Sequence, residues 1–591
     1  MYPYGLIGNC QTAALINKSG SIDWLCFPRP DSPPVFGRIL DPEGGHFSIE
    51  GKGRFEGQQN YIPNTTILKT TVTNEDGSQF EITDFNPRFY QHGRVYRPIS
   101  LFRIVKPIKG NPAICVSCKP VDGWTKKPVK PIRGNSHLRF ELQDDHMRLA
   151  TNMPLTYLCE ETHFILNEPL YFGLTWSLGI EEDLVSVSER FLSQTLDYWT
   201  TWVKHCSIPS LYQKETIRSA LTLKLHCYED TGAILAALTT SLPEERNQNR
   251  NWDYRFCWLR DAYFVLSAFQ NLGHFEEMEG FIKFILNIAE KHEHSRERLW
   301  PVYRLDQTLP LPEVEHLNWQ GFAGSKPVRS NNQAAEHVQN DVYGEMILTL
   351  APIFIDERFH HLRTKDLERL LAHLGKFCAQ SISKPDAGLW EIRDGWQEHS
   401  FSNLMCWAGL DRIETIRSLG FLPELSFDLT SAKKLAEKSI RSAVINGSLR
   451  NAPNDESFDS SLLQISNLRF PDEDVVKKTV EQIQENLKLE ASSSTASFLY
   501  RYLRNDDFGQ PKSAFLICSF WLIQSLSRTG QIEKAREVTK NVMVAANSLG
   551  LFSEHYIPSE RMQTGNFPQA YSHVGQINAA FAVSPPWGDV L

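Results

Sequence analysis

The chain has 591 residues, more than one hydrophobic core usually organises, so two or more domains are expected. Apolar residues make up 41% and charged residues 22%, and 61 Lys plus Arg against 70 Asp plus Glu leave a net charge of -9 with no long run of one sign. That balance argues against disorder and against a surface built for nucleic acid or an anionic membrane. Met1-Tyr2-Pro3-Tyr4-Gly5-Leu6-Ile7-Gly8-Asn9 lacks the basic start and apolar run of a signal peptide, and no later stretch is apolar enough to span a bilayer. The 11 scattered cysteines suit reduced thiols, and a soluble cytoplasmic protein is the expectation.

Residues 1 to about 190 read as short alternating runs broken by turns. Ala13-Ala14-Leu15-Ile16, the turn Lys18-Ser19-Gly20 and Ile22-Asp23-Trp24-Leu25-Cys26 predict one hairpin, and residues 65–72 with Gly77 and Phe80-Glu81-Ile82 predict a second. Many such strands in succession predict an antiparallel β-sandwich over 1–183. Cys115-Val116-Ser117-Cys118 falls in a strand whose alternate side chains oppose, with no second cysteine pair, so it reads as structural rather than metal-binding. Residues 184–204 carry apolar and aromatic positions three and four apart, which predicts a helical linker within 184–210.

Beyond residue 210 nearly every segment reads as an amphipathic helix: 215–228, 260–272, 275–290, 340–354, 367–381, 403–418, 432–444, 473–487, 514–527, 532–548 and 569–582. With 232–240 they make roughly a dozen. That number fits a ring of helix pairs, inner and outer, and fits an α-solenoid equally well, although no fixed-period repeat is visible. The connection across 298–340 is rich in Pro, Gly and aromatics, and loops of that length inside a domain are usually functional.

Three segments carry candidate chemistry. Asn251-Trp252-Asp253-Tyr254-Arg255-Phe256-Cys257-Trp258-Leu259-Arg260-Asp261 crowds rings, guanidinium groups and carboxylates together. Rings stack on sugar faces while Arg260 and Asp261 suit directional hydrogen bonds to hydroxyls, a combination costly to bury without purpose. In Gly388-Leu389-Trp390-Glu391-Ile392-Arg393 a carboxyl follows an indole, which would desolvate it and keep a proton available for general acid catalysis. Glu554 lies in a third inter-helix stretch, Ser553-Glu554-His555-Tyr556. Two carboxylates on separate loops suit glycoside hydrolysis, one protonating the leaving oxygen and the other activating water.

These segments, together with 231–244, Gly565-Asn566-Phe567-Pro568-Gln569-Ala570, and the early Gly5-Leu6-Ile7-Gly8-Asn9 and Ser21-Ile22-Asp23-Trp24-Leu25, resemble glycoside hydrolase family 15, which includes glucoamylases, glucodextranases and bacterial trehalases. The resemblance covers essentially the whole chain. It implies a multidomain β + α architecture: an N-terminal antiparallel β-sandwich, a helical linker, and a C-terminal (α/α)6 barrel over 211–591 with its pocket at one end. It also implies an inverting exo-hydrolase, with Glu391 as general acid and Glu554 as general base. Tyr254 falls where a tyrosine helps hold the attacking water, Trp258 and Trp390 at the pocket wall, Arg260 and Asp261 at the grip on the terminal glucose. Arg329, in the 326–332 loop, is expected to contribute as well. Leu238 stands where many members have proline and Asn331 where glycine is common, and 394–396 follow the acid in a variable loop.

The resulting expectation is release of glucose from the non-reducing end of an α-glucoside, glucoamylase-like on α-1,4-linked maltooligosaccharides first, α,α-trehalase next, α-1,6-specific action third. A sugar-binding protein without catalysis is the non-enzyme alternative, which the presence of both Glu391 and Glu554 disfavours. The histidines, including His292-Glu293-His294 and His360-His361, lack ligand spacing on a matched face, and no Gly-rich nucleotide loop follows a strand. Neither metal nor organic cofactor is expected, and no nucleic-acid or membrane partner.

Overall fold

The computed structural model describes residues 1–143, 145–293, 298–489 and 497–591, with 290–293 described by their backbone alone. His294 therefore lies outside the described residues, and His292 and Glu293 have no described side chains. Two large antiparallel sheets occupy the first part of the chain, beside a small one of Phe89–Gln91 and Arg94–Tyr96. One pairs Tyr4–Gly8, Ala13–Asn17, Ile22–Cys26, His46–Gly51, Ala113–Lys119 and Phe164–Ile165 in that order, with Pro34–Phe36 added beside Ile22–Cys26. The other pairs Ile132–Arg133, His137–Glu141, His146–Thr151, Leu170–Trp176, Ser100–Lys109, Gln79–Phe85, Leu68–Asn74 and Phe55–Tyr61. Both predicted hairpins form, with Leu15 opposite Trp24 and Val72 opposite Phe80.

Strand Leu68–Asn74 alternates buried and half-buried positions, as a strand with one face on a core must. Across that core Phe47 of one sheet meets Phe172 of the other edge-on at 5.7 Å. Arg103 is buried between the sheets, paired with Asp84 at 2.7 Å and donating to the Phe47 carbonyl at 2.8 Å, so its charge is neutralised where water cannot reach it. Cys115 and Cys118 are free thiols, Cys115 donating to the Glu161 carbonyl and Cys118 against the core.

Helix Leu184–Lys204 leaves the sheets, its start fixed by Asp183, whose carboxylate accepts from Ser186 N at 2.9 Å. Thereafter outer and inner helices alternate along the chain. The outer ones are Gln213–His226, Glu276–Glu293, Lys365–Ser381, Leu429–Ser442, Glu473–Asn486 and Ile532–Val542. The inner ones are Leu259–Leu272, Asp341–Ile355, Ser400–Ser418, the short pair Ser460–Leu463 and Gln464–Asn467, Leu516–Arg528 and Ala570–Val583. Each inner element touches the next, and the last touches the first, which closes an (α/α)6 barrel. Ring closure removes the solenoid alternative.

Burial explains which helix goes where. Asp341–Ile355 is buried on nearly every face, whereas Ile532–Val542 buries Ala535, Val538, Thr539 and Val542, a single stripe at helical spacing. One expected helix is absent: Ala233–Ile234 of the 232–240 segment is a strand paired with Cys227–Tyr228. Gly232 explains the break, since its φ is +83° and a Cβ there would lie 2.0 Å from the Gly280 carbonyl oxygen. The twelfth position is filled instead by 460–467, too short and too rich in serine for periodicity to reveal.

Sheets and barrel are joined near the barrel's loops. Trp24 Nε1 donates to the Leu238 carbonyl at 2.8 Å, and Arg255 reaches the Pro30 and Ser32 carbonyls at 3.2 and 2.6 Å. No helix among the described residues is long and apolar enough to cross a membrane.

Candidate active site

The aromatic run enters the barrel as extended chain, bridged at Asp253 to Thr240 and paired at Cys257–Trp258 with Val302–Tyr303. Alternation then divides its side chains between two faces. Asp253 and Arg255 turn away and pair with each other at 2.7 Å, fully buried, which anchors the segment to the sheets. Tyr254 and Trp258 turn inward, T-shaped at 5.4 Å, and line a cavity of about 460 Å³ with Arg260 and Asp261. Arg260 and Asp261 belong to the first turn of Leu259–Leu272. Phe515, just before the inner helix Leu516–Arg528, and Gln569 and Tyr571, at the start of the inner helix Ala570–Val583, also line the cavity. The site therefore lies where helix N-termini converge, an end that favours electron-rich oxygen.

Glu391 comes from the loop before Ser400–Ser418, which Asp386 holds in shape by accepting from Asn340 N at 2.8 Å, Ser402 Oγ at 2.7 Å and His399 Nδ1 at 2.8 Å. Its backbone takes the left-handed conformation, φ +61°, a strained choice for a side-chain-bearing residue. Glu391 Oε1 accepts from Trp258 Nε1 at 2.6 Å and Arg260 Nη2 at 3.1 Å. The expected apolar contact with its neighbour Trp390 is not what positions it. Trp390 Nε1 donates instead to Asp459 at 2.9 and 3.0 Å, and the indole that holds Glu391 is that of Trp258, through its N–H. Arg393 pairs with Glu313 at 3.1 Å, leaving Glu391 to the cavity.

Glu554 reaches the same cavity from the opposite side of the chain's course, ahead of strand His555–Ile557, and is 2% exposed. Its backbone N–H donates to the Asn566 carbonyl at 3.0 Å, and its Oε2 accepts from Asn566 N at 3.2 Å. His555 Nε2 lies 3.6 Å from Glu554 Oε1 and 3.7 Å from Glu244 Oε1. The imidazole is stacked on Phe515 at 4.6 Å and its Nδ1 is 3.0 Å from Ser513 Oγ. Nε2 has these two carboxylates as neighbours but lies beyond hydrogen-bond distance of either. Glu244 is clasped by Arg501 at 3.1 and 3.2 Å; burial pushes its carboxyl up, but Arg501, then His555 and Arg250, outweigh that and hold it below the usual range. Among the described residues, Glu244, Glu554 and His555 also lie close enough to hold a metal, their ligand atoms within 4.8 Å of one another.

Electrostatics beneath the cavity are dominated by buried acids. Burial pushes the Asp261 carboxyl up to about 7, with Glu391 adding to the rise and Arg260 opposing it. Deeper in the barrel, burial raises Asp341 to about 6 and drives Glu345 well above the carboxylate range, with Asp341 adding to the latter. Arg260 stands among them, donating to Tyr571 Oη at 2.9 Å and lying 3.6 Å from Asp261 Oδ2. Burial pushes the Tyr254 phenol far up, reinforced by Glu554, Glu244 and Glu391, so it is a hydrogen-bond donor at neutral pH.

A second cavity of about 490 Å³ opens beyond the first and shares Tyr254, Trp390, Glu391 and Arg501 with it. Trp252, His337 and the 506–508 turn form its outer wall. Seven of the eight residues singled out from sequence line the inner cavity: Tyr254, Trp258, Arg260, Asp261, Trp390, Glu391 and Glu554. Arg329 does not, and lines neither cavity. Its guanidinium is buried, donating to the Asn249 and Asn251 carbonyls at 2.9 and 2.7 Å and facing Glu313 and Glu315 at 3.4 Å, so it braces the loop behind the aromatic run. Asn331 next to it takes φ +62°, which explains why glycine suits that position. Sequence reasoning missed Arg501, Tyr571 and the Glu244–His555 pair. Arg501-Tyr502-Leu503-Arg504-Asn505-Asp506-Asp507-Phe508 has the same density of rings and charges as the aromatic run, and that signal would have found Arg501.

A cavity walled by rings and a guanidinium, holding two carboxylates at one end of an (α/α)6 barrel, has the composition of a glycoside hydrolase's sugar site. The model of glycosyl hydrolases family 15 matches residues 211–581, and that of the trehalase-like N-terminal domain matches residues 3–154. The chain belongs to glycosyl hydrolases family 15. It is 30% identical to a trehalase of Mycolicibacterium smegmatis, over 98% of this chain and 90% of the relative, and 29% identical to a trehalase of Thermoplasma volcanium, over 98% and 92%. A crystal structure of a bacterial glucoamylase complexed with acarbose superposes with a TM-score of 0.69 at 14% identity, covering 98% of this chain and 94% of that one, which shows a shared fold.

Proposed function

We propose that the chain hydrolyses α,α-trehalose to two glucose molecules, with inversion at the attacked carbon. The observation that carries this is that Glu391 lies where an inner and an outer cavity meet, so that a sugar can sit on either side of the acid. Such a site suits a disaccharide unit whose linking oxygen lies at the acid. Relatives of nearly the same length that are named trehalase support it, and they favour the second sequence expectation, α,α-trehalase, over the first, α-1,4-linked maltooligosaccharides.

One glucose would occupy the inner cavity, its face against Trp258 and its hydroxyls on Arg260 and Asp261, while the other rests between Trp390 and the outer wall. Glu391 Oε1 is taken by two donors, which leaves Oε2 to carry the proton. That proton passes to the bridging oxygen as its bond to the inner anomeric carbon breaks. Glu554 removes a proton from a water whose oxygen bonds to that carbon from the opposite face, with Tyr254 donating to the water. The inner sugar leaves as the β-anomer and the outer sugar keeps its α configuration.

Incubation with trehalose, maltotriose and isomaltose, followed by NMR of the first products, tests this. Equal α- and β-glucose signals from trehalose are expected. Two α signals would refute inversion, and glucose from maltotriose but not trehalose would restore the glucoamylase-like reading.

A further inference from the structure

The loop that holds Glu554 is supported from the sheet domain. Tyr2, just before strand Tyr4–Gly8, is buried against the barrel, its ring edge-on to Phe322 at 5.4 Å and tilted against Phe567 at 5.2 Å. Its N–H donates to Gln563 Oε1 at 2.9 Å, and its carbonyl accepts from Asn547 Nδ2 at 3.1 Å, so the residue is fixed at both ends. Its hydroxyl donates to the Gly565 carbonyl at 3.1 Å.

The choice of acceptor matters. That carbonyl belongs to the same peptide unit whose N–H, on Asn566, donates to Glu554 Oε2 at 3.2 Å. Phenol, peptide and carboxylate thus form one series of hydrogen bonds, and bonds in series polarise one another: a donor on the carbonyl strengthens the N–H as a donor to the anion. The peptide is held tightly against the carboxylate, because Gly565 has φ +75° and a Cβ there would lie 2.5 Å from Glu554 Oε2. Burial, then the nearby Glu554 charge, keeps the Tyr2 proton on its oxygen, so the phenol donates at every working pH.

We infer that Tyr2 is a positioning residue for Glu554, acting through the Gly565–Asn566 peptide, and that the sandwich domain thereby contributes to catalysis in the barrel. The inference rests on the role proposed for Glu554 as base.

Tyr2→Phe keeps the ring contacts and removes only the hydroxyl. Steady-state kinetics are compared for wild type, Tyr2→Phe and Glu554→Gln on the glucoside that the wild type turns over fastest, with melting temperature measured in parallel. Loss of one hydrogen bond in the series is expected to lower kcat about 3- to 10-fold, with KM changed less than about 2-fold. The acid side of the kcat profile is expected to move to higher pH while the melting temperature stays close to that of wild type. If Glu554→Gln retains turnover, the base assignment and this inference fall together. If Glu554→Gln is inactive but Tyr2→Phe matches wild type in kcat and pH profile, the inference alone falls. A drop in kcat accompanied by a proportionate loss of folded protein would also overturn it.

Discussion

The two carboxylates face one cavity but are held in different ways. Glu391 sits half-buried on a loop, with a left-handed backbone, and is fixed by the side chains of Trp258 and Arg260. Glu554 is buried immediately before the central strand of a three-stranded sheet and is fixed by a backbone N–H, with His555 alongside. The difference matches their proposed tasks. An acid must meet a leaving oxygen in the outer cavity and regain its proton each turnover, whereas a base must hold one water at one angle, which a residue at the start of a central strand does better than one on a loop.

The largest effects come from neutralising each carboxylate in turn. Glu391→Gln and Glu554→Gln are each expected to lower kcat on the disaccharide by about 10²- to 10⁴-fold. α-Glucosyl fluoride, whose leaving group needs no proton, separates them: Glu391→Gln should keep most of its rate on it and Glu554→Gln should not. Equal losses on both substrates would break the comparison. Next comes the support of the acid. Trp258→Phe removes the 2.6 Å donor to Glu391 and is expected to lower kcat about 10- to 100-fold, since that bond strengthens as Glu391 gives up its proton and becomes charged.

The smallest effect concerns the acids below the cavity. Asp341 has its folded-state pKa raised from 3.8 to about 6, so the folded protein binds more protons than the unfolded chain between those values and this group makes stability fall as pH rises through the window. Asp341→Asn mimics the protonated form. Its melting temperature, compared with wild type, is expected to be little changed at pH 4 and higher by about 2 °C at pH 8. A gain that shrinks as pH rises would show that the carboxylate is stabilised, not strained, by Arg260.

Much of this was legible in the chain because the signals are local. Alternation and turns located the hairpins, helical spacing located nearly all the barrel helices, and the density of rings and charges in 251–261 located one wall of the cavity. Two readings of side chains near the site changed for non-local reasons. Arg329 read as a pocket residue, but which face of a loop meets solvent depends on partners as distant as Asn249 and Glu313. Trp390 read as the desolvating neighbour of Glu391, but the left-handed turn at Glu391 sends the two side chains to different partners.

Residue types and their local spacing determined the sheets, the alternating helices and the presence of two candidate carboxylates, because propensity and periodicity act over a few residues. Which groups touch those carboxylates was decided by tertiary structure alone. Trp258 lies 133 residues from Glu391 and Tyr2 lies 563 residues from Gly565, and only closure of the barrel and docking of the sheets bring such groups within hydrogen-bond reach.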